Sequence, residues 1–143
     1  MPNAPEWVNQ YIGLPYSAKG RSTDGTDCWG LIKMALWDQR RIFLPEHENV
    51  HYLGKRNVAE LAEYMAGYVE QVQRIEEWKQ VPKEEVQEFD VVLLRLMGHP
   101  IHVGLAVNSE YMLHQLEGSD SVIEEIHGMI WKNRISGVFR YAK

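Results

Sequence analysis

Cys28, Leu31, Ile32, Ala35 and Leu36 recur at intervals of three and four. This spacing lines one face of a helix with apolar side chains and predicts an amphipathic helix opening at Cys28. Thr26 and Asp27 stand just before it, where side-chain oxygens accept from the orphan N–H groups of a first turn. Val58, Leu61, Ala62, Met65 and Val69 repeat the spacing and predict a second helix. Residues 5–12 read as a short helix with Pro5 in its first turn. Residues 13–27 read as a loop, because Pro15, Gly20 and Gly25 break any period. Residues 40–57 carry no sustained pattern and read as a connection, and 71–75 alternate weakly, as a strand would.

After position 89 the period changes from helical to alternating. Residues 89–94, 102–107, 111–116, 122–126 and 136–141 are short strand-like runs separated by turn chemistry. Helices first and strands afterwards predict an α+β fold rather than an alternating parallel one. With no repeat, low-complexity tract or linker, residues 1–143 read as a single domain.

Composition narrows the function. The 15 basic residues are outnumbered by 20 acidic ones, for a formal charge of −5, and they form no cluster. A phosphate-binding surface needs the opposite balance, so nucleic acid is not an expected partner. No apolar run approaches the roughly 18 residues that span a bilayer, so membrane insertion is not expected. The first ten residues lack the charged and apolar regions of a signal peptide, which predicts synthesis and folding in a cytoplasm. The single cysteine excludes an intramolecular disulfide.

That cysteine is the candidate nucleophile. A free thiol has a pKa of about 8.5, and the dipole and unpaired N–H groups of a helix start favour its thiolate. The competing reading is a small core residue, since Cys28 opens the apolar stripe. A thiol nucleophile needs an imidazole within hydrogen-bond reach, and that imidazole needs a polar group to fix its tautomer. His102 begins a small, apolar run and His114 lies in the next, with Asn108, Ser109 and Glu110 between them as a hairpin turn. If Gly104 pairs with His114, the two histidines become diagonal neighbours on one sheet face, whereas a one-residue slip separates them. Alternation puts Gln115 on the other face from His114. His47, His51, His99 and His127 lie in loop-like surroundings. Zinc ligation by Cys28, His99, His102 and His114 lacks any paired-ligand spacing, so neither a metal nor a cofactor is expected.

Asp27-Cys28-Trp29-Gly30 at a helix start, His102-Val103-Gly104-Leu105 on a strand, and His114 twelve positions later together resemble the NlpC/P60 family of cell-wall cysteine peptidases. Tyr16, in Leu14-Pro15-Tyr16, resembles the family's tyrosine beside the nucleophile. In detail the chain is similar to versions carried by phage tails: the D-C-W-G form, Leu44-Pro45 after the cysteine helix, and Leu113-His114 followed by Gly118.

The resemblance implies a papain-like core in which the cysteine helix packs on an antiparallel sheet. It implies Cys28 as nucleophile, His102 as general base and His114 as the group orienting it, with Tyr16 and Asp27 near the oxyanion or substrate. It implies peptidoglycan stem peptides as substrate, phage tail proteins as partners, and action from a virion tail in the periplasm or cell wall. A structural tail component on the same fold, or a related thiol amidase, is the alternative. Trp29 stands where many bacterial members carry serine, and 74 residues separate Cys28 from His102, more than in compact members. Leu44, Tyr52 and Leu53 in that interval fit either a docking surface or an extension of the domain's own core.

Overall fold

The computed structural model describes residues 4–44 and 78–142. The expected second helix, the strand at 71–75, Pro45, His47, His51, Tyr52 and Leu53 lie outside these residues. Among the described residues the element with helical spacing is α1 (Cys28–Arg40), with all five expected stripe positions buried. The Asp27 carboxylate caps it by accepting from the Gly30 N–H at 2.7 Å, and Arg41 ends it in the left-handed conformation. The expected N-terminal helix is a 3-10 turn, Glu6–Tyr11. The expected loop before Cys28 holds a small hairpin, β1 (Arg21–Ser22) with β2 (Gly25–Thr26).

The remaining strands are β3 (Trp78–Val81), β4 (Val91–Leu96), β5 (His99–Ala106), β6 (Tyr111–His114), β7 (Val122–Glu125) and β8 (Ile135–Tyr141). They form one antiparallel sheet in the order β3-β8-β4-β5-β6-β7. α1 lies on one face of it, in a core with Val91, Leu93, Val103, Leu105 and Leu113. Val92, Leu94, Ala106, Met112 and Val138 point the other way, into a second cluster closed by Trp131, Ile126 and Ile135. The two faces follow from the period-2 alternation of the strands. Leu31, Ile32 and Leu36 are completely buried, so truncating any of them to alanine costs about 2–5 kcal/mol. Leu44 is buried in the same core, on the side of core extension rather than docking.

Two boundaries depart from expectation. Phe89, read as the start of a strand, has a φ of 71° and precedes it. His99, read as a loop residue, begins β5, because Met97 and Gly98 (φ 53° and 80°) form a two-residue turn from β4. β3 was not anticipated at all. No helix among the described residues is long and apolar enough to cross a membrane.

Candidate active site

The β5–β6 register sets the site. Gly104 pairs with His114, Leu105 with Leu113 and Ala106 with Met112. The turn between them is fixed by the Asn108 side-chain oxygen, which accepts from the N–H groups of Glu110 and Tyr111, both at 2.8 Å. His102 and His114 therefore share the face carrying Ala106 and Met112, as diagonal neighbours. Nε2 of His102 lies 2.9 Å from Nδ1 of His114. Both imidazoles are buried.

Cys28 reaches β5 through its backbone. The Val107 N–H donates to Tyr111, so the odd-numbered residues of β5 turn their polar groups toward β6. β6 ends at His114, opposite Gly104, one residue short of Val103. The Cys28 sulfur takes the Val103 N–H, together with the N–H of Trp29. The sulfur thus sits against the peptide unit that joins His102 to Val103.

The helix start does not leave a free thiolate, contrary to expectation. Burial pushes the Cys28 thiol up to about 12, and the Asp27 carboxylate adds to this, outweighing the Val103 and Trp29 N–H groups and Arg21. Burial also pushes His102 down to about 3, helped by the neighbouring His114. His114 is lowered too, again by burial, with Glu124 acting in the opposite sense. Burial therefore disfavours the charged forms of the thiol and of both imidazoles in the resting site.

Asp27, expected near the oxyanion or substrate, binds the loop that leads into the helix. Besides capping Gly30, its carboxylate accepts from Arg21 Nη1 and from the Lys19 N–H, both at 2.9 Å. With three internal donors and only 1% exposure, it organises the loop before the helix. Gly30 is required by the same crossing: a Cβ there would lie 2.1 Å from the Gly20 carbonyl oxygen. Tyr16 forms a parallel bridge with Thr26, two residues before the nucleophile. Burial, then the charges of Glu117, Asp27 and Cys28, push its phenol up to about 12, so it remains a hydrogen-bond donor.

Gln115 turns away from the histidines, as alternation requires. It accepts from the Thr26 hydroxyl and donates to the Leu14 and Ser119 carbonyls, locking the Tyr16 loop to the end of β6. Two residues of the cluster escaped the sequence reading. Nε2 of His114 lies 2.6 Å from Glu124 Oε1, and the Trp131 indole donates to the same oxygen at 3.4 Å. Trp131 stacks on His102 and meets His114 edge-on, with ring centroids 5.7 and 5.2 Å apart. Glu124 had a signal, since Val122 and Glu124 alternate with core Ile123. Trp131 had none, because it stands in an irregular turn. Among the described residues no group of three or more His, Cys, Asp or Glu side chains is arranged to hold a metal ion.

A thiol at a helix start, meeting through the Val103 N–H the strand that carries one of two hydrogen-bonded histidines, is a papain-like arrangement. The family model described as NlpC/P60 matches residues 13–140, nearly the whole chain. The chain belongs to the NlpC/P60 family. Among solved structures, the NlpC/p60 domain of the peptidoglycan hydrolase SagA aligns with a TM-score of 0.60 at 14% identity, covering 94% of this chain and 92% of that one. NlpC1 from Trichomonas vaginalis gives 0.64 at 18% identity, covering 95% of this chain and 42% of that one. The peptidoglycan hydrolase RipB from Mycobacterium tuberculosis gives 0.58 at 16% identity, covering 95% and 61%. The chain thus spans less than two thirds of the last two. At these identities the likeness shows the NlpC/P60 papain-like fold. A search of curated protein sequences gives no match.

Proposed function

We propose that this NlpC/P60 domain is a cysteine peptidase that hydrolyses peptide bonds in peptidoglycan stem peptides. The observation that carries the reading is the ordered pair His102–His114, joined at 2.9 Å, on the strand whose Val103 N–H holds the thiol. With Nε2 of His102 engaged by His114, Nδ1 is the nitrogen free to exchange a proton with sulfur. In the first step Sγ attacks the peptide carbonyl carbon while its proton passes to His102 Nδ1, so that charge separates only as the bond forms. The Cys28 backbone N–H and the Tyr16 hydroxyl stabilise the tetrahedral oxyanion. The C–N bond then breaks as His102 returns the proton to the leaving amine. Water, deprotonated by His102, hydrolyses the thioester and restores the thiol.

The peptide substrate follows from family membership and from relatives that are themselves peptidoglycan hydrolases. The phage-tail setting rests on the D-C-W-G form, on Leu44-Pro45, and on Leu113-His114 with Gly118. In that setting the chain is made in the cytoplasm, joins a tail and meets the wall from the virion. Purified muropeptides incubated with the protein and read by mass test the activity: a product pair summing to substrate plus water identifies the bond. Intact muropeptides together with co-sedimentation of the chain with tails would favour the structural tail component instead.

A further inference from the structure

We infer that Glu124 is a positioning residue that sets the tautomers of both active-site histidines, extending the site from three residues to four. The inference rests on the proposed peptidase reading for its kinetic consequence, although not for its structural one. Neutral imidazole carries one N–H and one bare nitrogen, so each hydrogen bond in a chain of imidazoles dictates the next. The chain here has two links, His102 Nε2 to His114 Nδ1 at 2.9 Å and His114 Nε2 to Glu124 Oε1 at 2.6 Å. By itself the first link leaves the direction open, because either histidine could donate.

Glu124 closes the choice. Its Oε1 already accepts from the Trp131 N–H, and an oxygen acting as acceptor takes the His114 proton on Nε2. Nδ1 of His114 is then bare and accepts, which forces the proton of His102 onto Nε2. His102 Nδ1 is thereby left bare, as the group receiving a proton from the thiol must be. Reversal of the chain would place a proton on His102 Nδ1 and leave the thiol without a base.

The surroundings suit this task. Glu124 comes from β7, where His114 pairs with Val122, so it approaches His114 diagonally across the same sheet face. The Trp131 N–H donates to the oxygen that His114 uses, and the Trp131 ring packs against both imidazoles. The Glu124 side chain is 31% exposed, so its carboxylate stays in contact with water, whereas His114 is fully enclosed.

The test reads the protons directly. Protein labelled with ¹⁵N-histidine, observed in its free state by long-range ¹H–¹⁵N spectra, reports which ring nitrogen of each imidazole is protonated. Wild-type protein is expected to show Nε2–H at both His102 and His114. Glu124→Leu should lose this single pattern at both rings, and its kcat on muropeptides should fall about ten- to a hundredfold with KM little changed, by analogy with the loss of the orienting partner of a metal-bound histidine. Glu124→Gln, whose amide oxygen can still accept, should keep both tautomers and most of the rate. It also serves if Glu124→Leu does not fold. An Nδ1–H signal at His114 in the wild type would overturn the inference, as would unchanged tautomers and a kcat within twofold in Glu124→Leu. A wild-type protein inactive on muropeptides would sink the peptidase reading, and the tautomer spectra would still decide this one.

Discussion

Nε2 of His102 and Nδ1 of His114 are 2.9 Å apart because Gly104, two residues beyond His102, pairs with His114 across the β5–β6 ladder. Side chains two residues out of register on one face are diagonal neighbours, near enough for two imidazoles to share a hydrogen bond. The partner of His102 needs only an acceptor at that point, and an amide oxygen supplies one. His114→Gln should therefore keep measurable hydrolysis, while His114→Ala loses far more. Steady-state kinetics on muropeptides compares them. Equal losses would mean that an acceptor alone does not meet the need of His102.

Acid should weaken the fold through the same histidines. His102 is pushed down to about 3 in the folded state, against about 6.5 in the unfolded chain. A group so depressed contributes stability that is complete above the unfolded value and is lost as pH falls from 6.5 toward 3. The loss is about 1.4 kcal/mol per pH unit, or about 2 kcal/mol by pH 5, and His114 adds to it in the same direction. Cys28, raised to about 12, works at the other end, removing stability as pH climbs above about 9. Urea midpoints measured across this range should peak near neutrality, with a shallower acid limb in His102→Gln. An identical acid limb in the variant would show that other groups govern it.

Gly30→Ala should damage the fold before it affects chemistry. The added methyl meets the Gly20 carbonyl at 2.1 Å, and that contact is backbone on both sides, with no side chain free to move away. Overpacking of this kind costs at least about 2 kcal/mol, a fall in Tm on the order of 5–10 °C. Thermal unfolding by circular dichroism measures it. A Tm within about 1 °C of wild type would mean that the loop crosses the helix at a greater distance.

Much of this site is legible in the sequence. The helix at Cys28 was plain from its stripe and cap, and five of the six strands of the large sheet from alternation and turn chemistry. The histidine pair followed once Gly104 was set opposite His114. What stayed hidden depends on contacts rather than on period. β3 is four residues long, Trp78-Lys79-Gln80-Val81, and its pairing with β8 leaves no alternating apolar run to read. Trp131 reaches the histidines from an irregular turn, and no spacing rule anticipates that. The setting of Cys28 was legible only in part: a helix terminus favours a thiolate that water also solvates, whereas here burial and the Asp27 carboxylate push the thiol the other way.

The central claim is that Cys28 and His102 act as one hydrolytic unit. It is tested most directly by measuring kcat/KM on purified muropeptides for wild type, Cys28→Ala, His102→Ala and the double variant. Residues that share a single step are strongly non-additive, so each single change should abolish hydrolysis and the double should be little worse than either. Independent, multiplicative losses, or cleavage that persists in Cys28→Ala, would contradict the account.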